Sequence, residues 1–154
     1  MWDRLVVAAY TRTPERPRRA VVRLLTPGYR VGALAVVFRP DGRLLLVDQP
    51  YIRGWTLPGG DLKRGEEPGP GLERELREEL GVHIQVAAPL LATLRTHDRW
   101  VTFVARVEVD DSLADAVTAH SAELSAVGWF ALDRLPGLHP DTVAPLRLVG
   151  VRSR

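Results

Sequence analysis

Glu75, Glu78 and Glu79 stand close together in a stretch of helical composition from Pro70 to Leu80. At about 100° per residue their spacing gathers the three carboxylates on one face, because residues three and four apart are neighbours on a helix. Leu72, Leu76 and Leu80 form the adjoining stripe, which must face a core. Left alone, the carboxylates repel one another by roughly 0.2–0.5 kcal/mol per i,i+4 pair and raise one another's pKa. Sharing a hard cation turns that repulsion into an asset. Magnesium takes oxygen ligands in near-octahedral geometry and is completed by water and substrate phosphates. Ions held in this way polarise a phosphoryl oxygen, acidify a bound water and neutralise a leaving phosphate. The chemistry these residues suit is hydrolysis of a diphosphate linkage; for the helix alone, the competing reading is an acidic face bathed in solvent.

The flanking residues weigh against that plainer reading. Leu57-Pro58-Gly59-Gly60 allows a close-approaching backbone ahead of the helix, since glycine accepts positive φ without steric cost. Gly65 precedes Glu66, and Gly81 falls where a helix needs a left-handed residue at its end. Gly60, Glu66, Arg74, Glu75, Leu76, Glu78, Glu79, Gly81 and Val82 fit the pattern G-x5-E-x7-R-E-U-x-E-E-x-G-U, with U a bulky apolar residue. In this the chain resembles the Nudix (MutT-like) hydrolases, tightly over the box and loosely over residues 31–136.

The resemblance implies an α/β fold, an α/β/α sandwich with a mixed β-sheet and a loop-helix-loop metal site. The implied reaction is hydrolysis of a nucleoside diphosphate linked to another moiety X, with magnesium as cofactor and manganese able to substitute. It makes Glu75, Glu78, Glu79 and Gly60 the metal positions, and Glu66, Arg74 and Gly81 the residues that order the box. On the helical wheel Arg74 points about 100° away from the carboxylates, so its expected role is pairing with Glu66 or orienting the box glutamates. Glu123, six residues before Trp129, resembles a loop glutamate that reaches the metal site as ligand or base; the proton acceptor stays open between it and a box glutamate such as Glu78 or Glu79. Gly59 and Gly60 would approach the substrate, and so would Tyr51 and Arg53 in the loop Gln49–Gly54, unless these two are ordinary loop residues. Pro68, Gly69 and Pro70 crowd the helix start and predict a late-starting helix.

The elements that must hold this stretch are read from pattern. Tyr29–Phe38 and Arg43–Asp48 are strands joined by an Asp41-Gly42 turn. Val82–Ala88, Leu90–Thr96 and Trp100–Val109 alternate as further strands, with Thr96–Arg99 a turn whose His97-Asp98 pair reads as surface. Trp100 reads as core or interface. Residues 110–120 form an acidic loop, a tryptophan-led strand ends near Asp133, and a last helix runs from about Pro140 to Val149.

The 154 residues fit one domain, 29–154, preceded by an arginine-rich helical extension, 1–28. Residues 1–30 hold seven arginines against Asp3 and Glu15, a local charge of +5 that leaves −3 for the rest of a chain of formal charge +2. Helices are expected over 4–10 and 14–25, the second with Ala20, Val21, Leu24 and Leu25 opposite Arg16, Arg19 and Arg23. That face suits packing on the domain or a second subunit; an anionic membrane or nucleic acid is the other reading. The absence of cysteine excludes disulfides and thiolate metal sites. No apolar run reaches the roughly 18 residues of a membrane span, and the start does not read as a signal peptide, so a soluble cytoplasmic protein is expected. The expected partner is a small nucleotide-like diphosphate, with no nucleic acid required and a homodimer open. Thr96–Trp100 lacks the proline and the tyrosine that mark two Nudix subfamilies, so ADP-ribose, nucleotide sugars and nucleoside triphosphates stay open as substrates. The alternative is a nucleotide-sensing module that regulates a partner through its basic N-terminus.

Overall fold

A computed structural model describes residues 28–87 and 90–151 together with Pro14. The helices expected over 4–10 and 14–25 lie outside the described residues. In chain order the elements are β1 (Arg30–Phe38), β2 (Leu44–Asp48), β3 (Gly59–Asp61), α1 (Pro68–Leu80), β4 (Leu91–Arg95), β5 (Trp100–Glu108), α2 (Asp111–Ala116), β6 (Ala126–Phe130) and α3 (Pro140–Leu148).

β1 is rich in apolar residues on both faces because both faces are covered. Ala33, Ala35 and Val37 join one core with Leu72, Leu76 and Leu80 of α1. Val36 and Phe38 join a second core with Leu44, Leu46, Val104 and Leu146 of α3. The three α1 leucines are fully buried, at roughly 1.5–3 kcal/mol each, and this stripe fixes which way the helix turns its glutamates. The sheet order is β4-β5-β1-β2-β6, with β3 also on β1. β1 and β5 run parallel over their whole length while the other pairs are antiparallel, so the sheet is mixed and lies between helices.

β1 and β2 diverge. Their register holds only at Phe38 opposite Leu44, beside the Asp41-Gly42 turn. Beyond it β2 pairs with β6 from Leu44–Phe130 to Asp48–Ala126, and the first half of β1 takes β3 instead, with Gly32, Ala33 and Leu34 opposite Asp61, Gly60 and Gly59.

Three expectations are corrected. α1 begins at Pro68, not late, because a proline in the first turn has no intrahelical N–H bond to lose. Val82–Ala88 makes no ladder over its described residues: Val82 and Ile84 are buried and His83 and Gln85 exposed, but the Val86 N–H donates to the Glu73 carboxylate at 2.8 Å instead of to a strand. The acidic loop 110–120 contains α2, whose Asp110 caps it by accepting from the Leu113 N–H at 2.8 Å. Among the described residues no helix is long and apolar enough to cross a membrane.

Candidate active site

The loop into α1 is built around glycine. Gly59 sits at φ 128°, and a Cβ there would overlap the Ala33 carbonyl oxygen. A Cβ on Gly60 would lie 2.9 Å from the Glu75 carboxylate. Two residues without side chains therefore let β3 lie against β1 on one side and against the α1 carboxylates on the other. At the far end of α1, Gly81 stops the helix at φ 71° with its N–H on the Arg77 carbonyl at 3.1 Å.

Arg74 is the hub of the acidic face. Its Nε and Nη2 each donate to Glu66 at 2.8 Å, a bidentate pair, and its Nη1 donates to Glu75 at 2.7 Å and to Glu78 at 3.2 Å. The helical wheel turns this residue away from the glutamates, yet the long side chain bends back to them, so it pairs with Glu66 and holds two box glutamates at once. Hydrogen bonds from Arg74 first, then from the Lys63 N–H, lower the Glu66 carboxyl to a pKa of about 2. The hydrogen bond to Glu66 likewise raises Arg74 above its ordinary value.

Glu79 is the buried member, 4% exposed. It accepts from the Gly59 N–H at 2.8 Å. Burial, reinforced by the charges of Glu75 and Glu123, nonetheless pushes its pKa up to about 7. The site holds more negative charge than its own cations offset.

These carboxylates line a cleft of about 770 Å³. Glu75, Glu78, Glu79 and Glu123 all face it, as do Gly59, Gly60 and Arg74. Tyr51 forms part of its wall, and its hydroxyl pKa is raised by burial and by the charges of Glu123 and Glu79. Glu66 and Gly81 support the helix from outside the lining, and Arg53 is exposed and does not line the cleft.

The same cleft is lined by residues that sequence reading did not assign to the site. Arg30 on β1 and Arg95 on β4 are both in register with Trp100 on the intervening β5, and their guanidinium carbons lie 4.5 and 5.0 Å from its ring centroid. Arg30 also pairs with Asp61 at 2.6 Å, and Arg95 with Asp98 at 2.9 Å and with Asp141. Gly32 makes room for the indole, since a Cβ there would be 3.2 Å from Trp100 Nε1. The hairpin across Thr96–Arg99 is a local signal that Arg95 meets Trp100; Arg30 reaches it only through the parallel pairing of β1 with β5. His97 is 3.8 Å from Asp98, which Arg95 already engages, so the pair is a surface turn as expected.

Among the described residues no three acidic or histidine side chains stand converged as a finished metal cluster. Arg74 draws Glu75 and Glu78 to itself while the Gly59 N–H holds Glu79. The donors are nonetheless all carboxylate oxygens on one cleft wall with uncompensated charge, a set that fits a hard divalent cation.

Fold and site together define a class: an α/β/α enzyme whose loop-helix-loop turns a carboxylate set into a cleft. The NUDIX domain family model matches residues 28–149, and the chain belongs to that family, as a Nudix hydrolase acting on nucleoside diphosphate derivatives. It is 33% identical over 109 residues to a MutT-like protein of Streptomyces ambofaciens, a match covering 71% of this chain and 68% of that one. It is 34% identical over 131 residues to the 8-oxo-dGDP phosphatase NUDT18 of Danio rerio, covering 82% of this chain and 39% of that protein. Among solved structures, a MutT NUDIX hydrolase from Burkholderia pseudomallei matches with a TM-score of 0.66 and 30% identity, over 80% of this chain and 99% of that one. Nudix hydrolases generally use divalent metal cations.

Proposed function

We propose that this chain hydrolyses the diphosphate linkage of a nucleoside diphosphate joined to a moiety X, by attack of water on phosphorus. One observation carries the reading: four carboxylates and an arginine-tryptophan-arginine stack line one cleft. Glu75, Glu78 and Glu79, with the backbone at Gly60, would hold magnesium or manganese. Bound there, a dication supplies charge neutralisation and polarisation of the phosphoryl oxygens and of water.

The chain's own residues do the rest. Arg74 keeps Glu75 and Glu78 in place, with Glu66 as its counterweight. Glu123, which lines the cleft with Glu79 and whose charge acts on it, takes the proton of the attacking water. Tyr51 offers an aromatic wall, and the Arg30 and Arg95 guanidiniums meet the polar groups of X. Catalysis of this kind is mostly positioning and charge neutralisation. ADP-ribose and oxidised guanine nucleotides head the substrate class, the second because a relative sharing the sequence is an 8-oxo-dGDP phosphatase.

The test is release of phosphate or nucleoside monophosphate from ADP-ribose, nucleotide sugars, 8-oxo-dGDP and nucleoside triphosphates, with magnesium or manganese. Wild type turns over at least one, and Glu78→Gln lowers that rate by at least about 100-fold, within the range for loss of a charge-stabilising group. Equal rates in the variant, or no turnover of any member, would sink the proposal.

A further inference from the structure

The last turn of a helix leaves its final carbonyls without intrahelical partners. In α1 two of them are taken by a segment far along the chain. The His120 N–H donates to the Glu79 carbonyl at 2.8 Å, the Ser121 N–H to the same oxygen at 3.4 Å, and the Thr118 N–H to the Leu80 carbonyl at 3.2 Å. The His120 ring rests against Gly81, where an added Cβ would lie 3.2 Å from the ring carbon Cγ and 3.3 Å from Nδ1.

The same segment then makes a tight turn. The Glu123 N–H donates to Ser121 Oγ and the Leu124 N–H to the Ser121 carbonyl, both at 3.1 Å. Leu124 is buried in the α1-side core, and the Ser125 N–H donates to the Asp48 carbonyl at 2.8 Å. Glu123 is thus fixed at both ends: to the main chain of Glu79 on one side and to β2 on the other. Its own side chain is exposed to the cleft.

We propose that His120 is a positioning residue for the reaction, clamping the 117–124 loop to the end of α1 so that Glu123 stands at a fixed offset from Glu79. Gly81 then has a second task besides ending the helix, which is to leave the space that His120 fills. The inference rests on Glu123 as the proton acceptor. A docking that served stability alone would act on the enzyme whether or not Glu123 carries a carboxylate, and this separates the two accounts.

The experiment is a double-mutant cycle on the full chain. His120→Pro deletes the N–H bound to the Glu79 carbonyl, and Gly81→Ala pushes the ring away; each is made in wild type and in Glu123→Gln. Turnover is measured with the fastest-cleaved nucleotide of the panel above at saturating magnesium, and amide exchange is followed at Thr118 and Ser121, whose N–H groups bond the same helix end. In wild type each variant lowers kcat about tenfold, the scale of a small misplacement, with KM changed less than about twofold and faster exchange at Thr118 and Ser121. In the Glu123→Gln background neither lowers kcat further. An equal loss in both backgrounds overturns the inference, and so does an unchanged kcat with exchange protection lost. A Glu123→Gln enzyme as fast as wild type would instead remove the acceptor role, a failure separately visible in the single variant. Should Gly81→Ala not fold, His120→Pro, on an exposed loop residue, carries the comparison alone.

Discussion

Replacing Glu79 by glutamine removes a buried charge that the metal-free protein tolerates poorly. The carboxyl titrates at about 7 in the fold against 4.5 for an ordinary glutamate. Between these values the folded chain keeps a proton that the unfolded chain gives up, so stability falls as pH rises. At 1.36 kcal/mol per unit, the loss amounts to about 3 kcal/mol, absent below pH 4.5 and complete above about pH 7. Glutamine keeps an oxygen for the Gly59 N–H and has no proton to lose. In chelator, Glu79→Gln and wild type should therefore have similar stability near pH 4.5, and the variant should be more stable by about 3 kcal/mol at pH 8. For a chain of this size that is a gap of about 6–12 °C in Tm. Urea unfolding of both proteins from pH 4.5 to 8 measures the difference directly, and titrating groups remote from Glu79 cancel between them, whereas Glu75 and Glu123, whose charges bear on Glu79, do not. Adding magnesium at pH 8 should stabilise wild type and leave the variant nearly unmoved, because a ligand stabilises only the state that binds it. Parallel curves across the pH range would refute the reasoning, as would a wild type that gains on the variant as pH rises.

Arg74→Lys can satisfy one carboxylate where arginine holds three. Turnover should fall about 10- to 100-fold, and NMR should find the Glu66 carboxyl titrating near the ordinary glutamate range instead of near the value of about 2 it has beside Arg74. The stability that this pairing adds is present above the ordinary glutamate pKa and is lost as pH falls from there to about 2, so the acid-unfolding profile of the variant should be flatter over that range. Gly59→Ala combines positive φ with overlap on the Ala33 carbonyl and should cost about 2–5 kcal/mol. Gly42→Ala, at φ 81° in open space, should cost only the left-handed strain of about 1–2 kcal/mol; equal costs in thermal unfolding would contradict the close packing of β3.

Much of this architecture was legible in the chain because it depends on local pattern. The leucine stripe of α1, the valine-dense β1, the Asp41-Gly42 turn and the Thr96–Arg99 turn each carry their own signal. What stayed hidden depends on partners distant in sequence. β3 is Gly-Gly-Asp, with little strand propensity, and exists because Gly32, Ala33 and Leu34 offer it a ladder. Residues 82–87 have a strand's alternation without a strand's neighbour. The reach of Arg74 exceeds what a helical wheel represents, because the wheel places Cα atoms and not the ends of long side chains. Trp100 was readable as apolar and partly polar, but its place between Arg30 and Arg95 follows from a parallel pairing that no local pattern announces.

The divergence of β1 from β2 bears on how such an enzyme changes its diet. The glutamates are carried by a helix seated on one core, whereas much of the remaining cleft wall is furnished by the β4-β5 hairpin, the start of β1 and the first turn of α3. That second set meets the carboxylate helix through β3, where Arg30 pairs with Asp61 and the Asp61 carbonyl accepts from Arg74 Nη2 at 3.4 Å, while Arg95 and Asp141 pair with one another away from the leucine stripe. In the function proposed above, substitutions at Arg95, Asp141 or their neighbours would thus remodel the recognition of X while the hydrolytic apparatus keeps its packing. A lineage could explore new nucleotides, or an engineer could graft a new specificity, through surface and hairpin positions, without reopening the fit of Leu72, Leu76 and Leu80.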